Sequence, residues 1–204
     1  MFKMIKGAKI DDGINLKEEY KVFDKWISAN ISAENIRKVV NKFIEIEEGN
    51  QFCLFIELPS NQEDENVIGV TQEGYCQVDC LHMDVYYLDD ISADQLMGLL
   101  DIFEDILVND GLSSFGVLSQ SGREIGKYKY NVIKAYSHDG LSPIVKVFTA
   151  LDIPETDELI TAWNYFSKDN PGISEIYNKD GKTIYDVVDT LKEIGMYKAE
   201  QREE

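Results

Sequence analysis

The chain has 204 residues, and 38 Asp and Glu against 20 Lys and Arg give it a formal net charge of -18. A charge of this sign repels phosphate backbones and anionic lipids, so we expect no direct binding to nucleic acid and none to a membrane. Hydrophobic residues make up 44% of the chain, which is more than a disordered acidic protein contains. The composition predicts a folded protein with a sizeable core.

The absence of targeting signals and the cysteine content predict a cytoplasmic protein. The basic start of the chain, with Lys3, Lys6 and Lys9, is not followed by the apolar segment of a secretory signal. No apolar run approaches the roughly 18 residues that a membrane-spanning helix needs. An odd number of cysteines, three in all, fits a reducing compartment better than a disulfide framework.

The negative charge is concentrated in one segment, residues 43–122, which we call the acidic block. These eighty residues contain seventeen acidic residues and no Lys or Arg. Lysine is plentiful on both sides, which argues against adaptation of the whole chain to high salt. Two interpretations remain open: a solvated surface that aids solubility, and a docking face for a basic partner.

Residues 1–50 are predicted to form a helical hairpin. The first helix is predicted from apolar residues at three- and four-residue spacing: Leu16, Tyr20, Phe23, Trp26 and Ile27. Ser32 is the predicted N-cap of the second helix. The second helix has the same spacing in Ile36, Val39, Val40, Phe43 and Ile44.

Residues 51–140 are predicted to form a sheet and a central helix. Strands are expected at 52–58, 67–70 and 75–88, and residues 113–137 are expected to form a hairpin whose second strand is 125–136. Ser92 is the predicted N-cap of an amphipathic helix whose polar face carries Asp94, Asp101 and Asp105.

The end of the chain, residues 141–198, is predicted to be mixed. We expect a strand at 144–148, with a helical turn as the alternative there, a helix that begins at Pro154, a short strand at 173–177 and a final helix over 184–191. Residues 199–204 are expected to fray. The predicted fold is a single compact α+β domain, with a mostly antiparallel sheet flanked by the N-terminal helical hairpin, the central acidic helix and the C-terminal helices.

Metal-ligating residue types cluster in one place, Cys76, Cys80 and His82. On an extended strand the two cysteines would stand about 13 Å apart, whereas zinc ligands are brought together by a turn and need a fourth partner. We therefore expect these residues to be part of the core. No cofactor, metal site or catalytic residue is predicted.

The acidic block gives the leading hypothesis for function. We expect a non-catalytic binding protein that engages a basic protein partner, as an inhibitor or an immunity-type protein, by occluding it. Tyrosines beside carboxylates suit such an interface, because the rings supply contact area. The predicted binding residues are Glu63, Asp64, Glu65, Asp84, Tyr86, Tyr87, Asp89, Asp90, Asp94, Asp101 and Asp105.

Two alternatives belong to other classes. One is a small carboxylate- or metal-dependent hydrolase that uses clustered carboxylates with His82 or His138. The other is a structural or regulatory module in which the acidic block contributes only solubility.

Overall fold

A computed structural model describes residues 1–61, 67–70, 76–78, 81–168 and 170–203. This part of the chain is mixed α+β. Its α-helices are α1 (Ala33–Ile46), α2 (Ala93–Asn109), α3 (Ser142–Thr149) and α4 (Ile184–Lys192). Its strands are β1 (Ala8–Lys9), β2 (Glu19–Val22), β3 (Trp26–Asn30), β4 (Phe52–Pro59), β5 (Val67–Val70), β6 (Cys76–Val78), β7 (His82–Ile91), β8 (Ser114–Ser119), β9 (Arg123–Tyr128), β10 (Val132–Ser137), β11 (Ile173–Ser174) and β12 (Tyr197–Glu203).

The largest sheet in the described residues has eight strands, in the order β12-β7-β4-β8-β9-β10-β3-β2. All neighbouring strands in it are antiparallel. Two smaller pairs, β1 with β11 and β5 with β6, are antiparallel as well. The prediction of an α+β protein with a mostly antiparallel sheet is confirmed. No helix among the described residues is both long and apolar enough to cross a membrane.

The two faces of the sheet differ. Alternate strand residues such as Ile56 and Phe115 are buried in one core with apolar residues of the helices. The residues between them point the other way, so Phe55 and Val85 are buried outside that core. We call the side of the sheet opposite the helices the outer face.

Phe55 lies flat on the outer face because two glycines make room for it. Gly116 of β8 and Gly126 of β9 stand opposite each other. A Cβ atom at Gly116 would lie 2.3 Å from the Phe55 ring, and one at Gly126 would lie 2.9 Å from it. The ring covers backbone that would otherwise be bare.

Local helix signals are borne out for three helices. In α2, the Ser92 hydroxyl accepts from the Gln95 amide, and the Gln95 side chain accepts from the Ser92 amide, which completes a capping box. Helix α1 follows Ser32, whose hydroxyl accepts from the Lys3 amide and makes no capping bond to the helix. Helix α4 occupies the predicted final position.

The predicted first helix of the N-terminal hairpin is wrong. Strands β2 and β3 form a β-hairpin there, and only the second predicted helix exists as α1. The residues that gave the helical spacing lie on different elements: Tyr20 is on β2, Phe23 is in the turn, and Trp26 and Ile27 are on β3. Ile27 is buried in the core, and Trp26 stacks on Phe23 at 4.2 Å. Pairing of β3 with β10 overrides the local pattern.

Residues 144–148 form the alternative to the favoured strand, and the segment after Pro154 differs from its predicted helix. The first is helix α3, in which Ile144, Val147 and Phe148 are buried at helical spacing. The second is mostly irregular, with only a 3₁₀ turn over Ala162–Tyr165. It bonds to the sheet edge instead, because the Tyr20 amide donates to the Pro154 carbonyl.

The single strand predicted over 125–136 is two strands, β9 and β10. A short turn separates them, in which Tyr130 and Asn131 have left-handed φ values of 56° and 63°. The break keeps Tyr128, Val132 and Tyr136 on the outer face, where Val132 is opposite Tyr128 and Tyr136 is opposite Glu124. It also leaves Lys127 on the core side, fully buried.

The predicted frayed tail, residues 199–204, is wrong for the described part. Residues 197–203 form β12, which pairs with β7 from Tyr197 opposite Tyr87 to Glu203 opposite His82. Strand β7 itself extends past the predicted Leu88 to Ile91. The tail is ordered by its partner strand and not by its own apolar content.

Candidate functional site

Two predicted binding residues, Asp84 and Tyr86, are buried on the core side of β7. Asp84 accepts from the Ser60 hydroxyl at 2.5 Å and pairs with Lys198 Nζ at 2.7 Å. Burial alone would raise the pKa of Asp84, but hydrogen bonds from Lys198, Ser60 and Gln201 lower it. The carboxylate joins β7 to β12 and belongs to no exposed docking face.

Two further predicted residues, Asp101 and Asp105, are neutralised by cations from outside the acidic block. Asp101 pairs with the buried Arg37 at 2.7 Å. Asp105 pairs with Lys6 at 2.9 Å and with Lys179 at 3.0 Å. Burial would raise the pKa of Asp105, yet these two lysines lower it to about 2. The folded chain thus offsets charge that looks uncompensated in the sequence.

The remaining predicted residues are dispersed. Tyr87 and Asp89 lie on the outer face, and Asp89 accepts from the Tyr197 hydroxyl at 2.7 Å. Asp90 and Asp94 are exposed, and neither pairs with a cation within the described ranges. Three others lie outside the described residues: Glu63, Asp64 and Glu65. The described members of the predicted set do not form one surface.

A groove between α2 and α4 does combine acidic and apolar side chains, and we call it the α2–α4 groove. Its volume is about 530 Å³. Its apolar lining consists of Ile102, Phe103, Ile106 and Val187. Its charged lining consists of the acids Asp105, Asp180, Asp186, Asp189 and Glu193 and of the cations Lys179 and Lys182. Acidic groups therefore outnumber basic ones around an apolar floor.

Ile102 distinguishes this groove from an ordinary solvated helix face. It lies within α2 and is 72% exposed, whereas the neighbouring Ile106 is buried. Asp101 and Glu104 flank it along the helix. Covering such a side chain is worth about 2 kcal/mol, which a partner surface could supply.

Some acids of the groove are already bonded within the chain, and others can still pair with a cation of a partner. Asp186 accepts from the amide of Thr183 at 2.7 Å and so caps α4. Asp189 pairs with Lys192 at 2.9 Å. Asp180 and Glu193 form no ion pair with any cation in the described ranges. These two carboxylates are free to meet a partner's cations.

Sequence reasoning found only one residue of the groove, Asp105. The acids of α4 lie beyond the acidic block, so the charge imbalance that predicts a binding face does not mark them. The same reasoning missed Ile102 because the apolar stripe of α2 is satisfied without it. The usable signal was an isoleucine on the polar side of a helix, next to Asp101 and Glu104.

The metal-ligating residue types are not gathered in the described structure. Among the described residues, no group of three or more His, Cys, Asp or Glu side chains is placed to hold a metal ion. The side chains of Cys76 and Cys80 lie outside the described part, and His82 is half-buried at the start of β7. The Asp139 carboxylate beside His138 is bound by Arg123 and the Ser137 hydroxyl.

Comparison with models of known protein families found no match, and comparisons with curated proteins and with solved structures found none either.

Proposed function

We propose that the chain is a non-catalytic binding protein that engages a basic protein partner through the α2–α4 groove. The observation that carries the proposal is Ile102, which stands 72% exposed beside a groove of about 530 Å³ with an acidic rim. The occupant is an amphipathic helix of the partner, with an apolar stripe and flanking Lys or Arg.

The chemistry of the groove suits this occupant. Protein interfaces place apolar anchors at the centre and charges at the rim. Ile102 and Phe103 supply the anchor surface, while Asp180 and Glu193 supply rim charges that form no ion pair with a cation of the described part of the chain. The net charge of -18 would speed encounter with a cationic protein over a distance of about one Debye length.

The proposed docking surface is the α2–α4 groove and not the whole acidic block. Asp84, Asp101 and Asp105 are already paired, so they offer a partner little unneutralised charge. An inhibitor or immunity-type role by occlusion remains a prediction. It requires that the basic segment that enters the groove be one that the partner needs for its own activity.

The test is a binding titration with a fluorescent peptide of about 16 residues, built from Lys and Leu in an amphipathic helical pattern. We expect saturable binding that weakens as NaCl rises from about 20 to 300 mM. Ile102→Ser and the double variant Asp180→Asn/Glu193→Gln should each weaken binding about tenfold.

A matched control carries the same change of charge elsewhere. Asp157→Asn/Glu158→Gln neutralises two exposed acids of the irregular segment before the 3₁₀ turn. If this control weakens binding as much as the groove variants do, the peptide senses only the net charge and the assignment to the groove fails. The assignment also fails if Ile102→Ser leaves the affinity unchanged.

A further inference from the structure

The outer face contains a cavity whose described lining includes lysine and arginine side chains. Its volume is about 470 Å³, within the range of small-molecule sites. Among the described residues that line it, Lys134 and Arg202 are cations that face the cavity with the carboxylate of Glu57, and Lys129 lies at its edge with a further interaction of its own. A described lining in which cations outnumber carboxylates is unexpected in a chain with a net charge of -18.

Lys134 is the cation best placed to meet a ligand. Arg202 already pairs with Glu57 at 2.7 Å. Lys134, in contrast, forms no ion pair with a described carboxylate, and its Nζ lies 5.0 Å from the centre of the Tyr128 ring. The ring steadies the ammonium group without neutralising it, so the positive charge remains available to an anion.

Trp163 gives the same cavity a fixed aromatic wall. Its side chain is 53% exposed. Two rings hold it edge-on, Tyr130 at 5.0 Å and Phe166 at 5.4 Å between ring centres. A ring that is exposed yet held in place costs little conformational entropy when a ligand stacks on it.

We propose that this cavity binds a small anion that carries a planar ring, of the class of nucleoside monophosphates and aryl phosphates. The ring stacks on Trp163, and the phosphate contacts Lys134. The Ser28 side chain, which also lines the cavity, supplies a hydroxyl donor, whereas the Thr161 hydroxyl already donates to Asn164 Oδ1 at 3.1 Å. The site lies on the opposite side of the sheet from the α2–α4 groove, so either can exist without the other.

The chain offers its own reporter, because it contains only two tryptophans. In a Trp26→Phe background, Trp163 is the sole fluorophore excited at long wavelength. We expect AMP and phenyl phosphate to quench it saturably. Adenosine, which lacks the charge, and inorganic phosphate, which lacks the ring, should bind at least tenfold more weakly.

Variants test the two halves of the site. Lys134→Gln, in the same background, should weaken AMP binding at least tenfold, while Lys146→Gln on the exposed side of α3 should not change it. Trp163→Leu, made in the otherwise unaltered chain, removes the fluorescent reporter, so calorimetry measures its affinity for AMP. We expect this variant also to bind AMP at least tenfold more weakly. Thermal melts should show that each variant remains folded.

Three results would overturn the proposal. The first is no saturable quenching by either AMP or phenyl phosphate. The second is equal affinity for AMP and for adenosine or inorganic phosphate. The third is a folded Lys134→Gln variant that binds AMP as tightly as the Lys146→Gln control does.

Discussion

Asn131 is a buried residue of the turn between β9 and β10 that ties three parts of the chain together. Its Oδ1 accepts from the Ile5 amide, and its Nδ2 donates to the Lys3 and Ile31 carbonyls, each at 2.9 Å. Its φ of 63° lies in the left-handed region, which asparagine tolerates better than most residues. Both properties explain why the predicted strand stops here.

Asn131→Ala should lower the free energy of unfolding by about 3 kcal/mol, because the buried Ile5 amide and Ile31 carbonyl and the partly buried Lys3 carbonyl lose their partners. Urea denaturation measures the change. Asn61→Ala, at an exposed position, is the matched control and should have little effect. A loss below about 1 kcal/mol at Asn131 would show that the three bonds contribute little.

Lys127 is buried against the C-terminus of α2, where its Nζ donates to the carbonyls of Asp110 and Ser113. Burial lowers the pKa of Lys127 from 10.5 to about 8. Between these values the folded chain has released the proton and the unfolded chain still holds it. Stability should therefore rise with pH in this window.

We expect the free energy of unfolding of the unaltered protein to rise, relative to Lys127→Met, by about 2 kcal/mol between pH 8 and pH 10. Denaturation at several pH values gives both curves. Subtracting the curve of Lys127→Met from that of the unaltered protein cancels the contribution of groups that titrate alike in both, such as exposed tyrosines. Parallel curves would mean that Lys127 keeps an ordinary pKa when folded.

At the scale of elements, local signals were sufficient for some segments and not for others. Helix α2 has its capping box and helix α4 its apolar spacing within their own residues, so the sequence predicts both. Strand β3 and helix α3 depend on their partners, so the sequence pattern predicted a helix for the first and favoured a strand over a helical turn for the second. Ile144, Val147 and Phe148 fit a helix only once one knows that a single side is buried.

Strand β12 depends on a partner most of all. All seven of its residues are exposed, so no apolar alternation marks it. Its order comes from pairing with β7 and from ion pairs of Lys198 with Asp84 and of Arg202 with Glu57. Residues with such a sequence look like a tail until the neighbouring strand is known.

Hydrogen exchange should therefore show protected amides within 197–203, at the positions that donate to β7. Protection should decrease in Asp84→Asn, because that change removes the pair with Lys198. Glu203→Gln, near the end of the strand, is the control. Complete exchange of residues 197–203 at the rate of an unfolded peptide would contradict the pairing.

At the scale of the whole molecule, charge that is separate along the chain is combined in space. Arg37, Lys6 and Lys198 come from the flanks and pair with acids of the acidic block. The sequence places the excess charge correctly but does not give its neutralisation, which depends on contacts between distant residues. The α2–α4 groove adds to its paired acids two carboxylates, Asp180 and Glu193, that form no ion pair within the described residues.

The candidate site could be predicted from the sequence only in part. Net charge and composition predict an acidic surface, and Asp105 was identified from helix periodicity. Ile102 and Glu193 could not be placed together, because α2 and α4 are far apart in sequence and become neighbours only in the fold. Their proximity is the physical basis of the proposed function.

One measurement tests that function most directly: backbone amide shifts of the isotope-labelled protein during titration with the Lys/Leu peptide. We expect the largest shifts in residues 101–106 and 186–193, with saturation at one peptide per chain. The outer-face strands β9 and β10 should change little. Shifts centred on the outer face, or spread evenly over all exposed acids, would contradict binding in the α2–α4 groove.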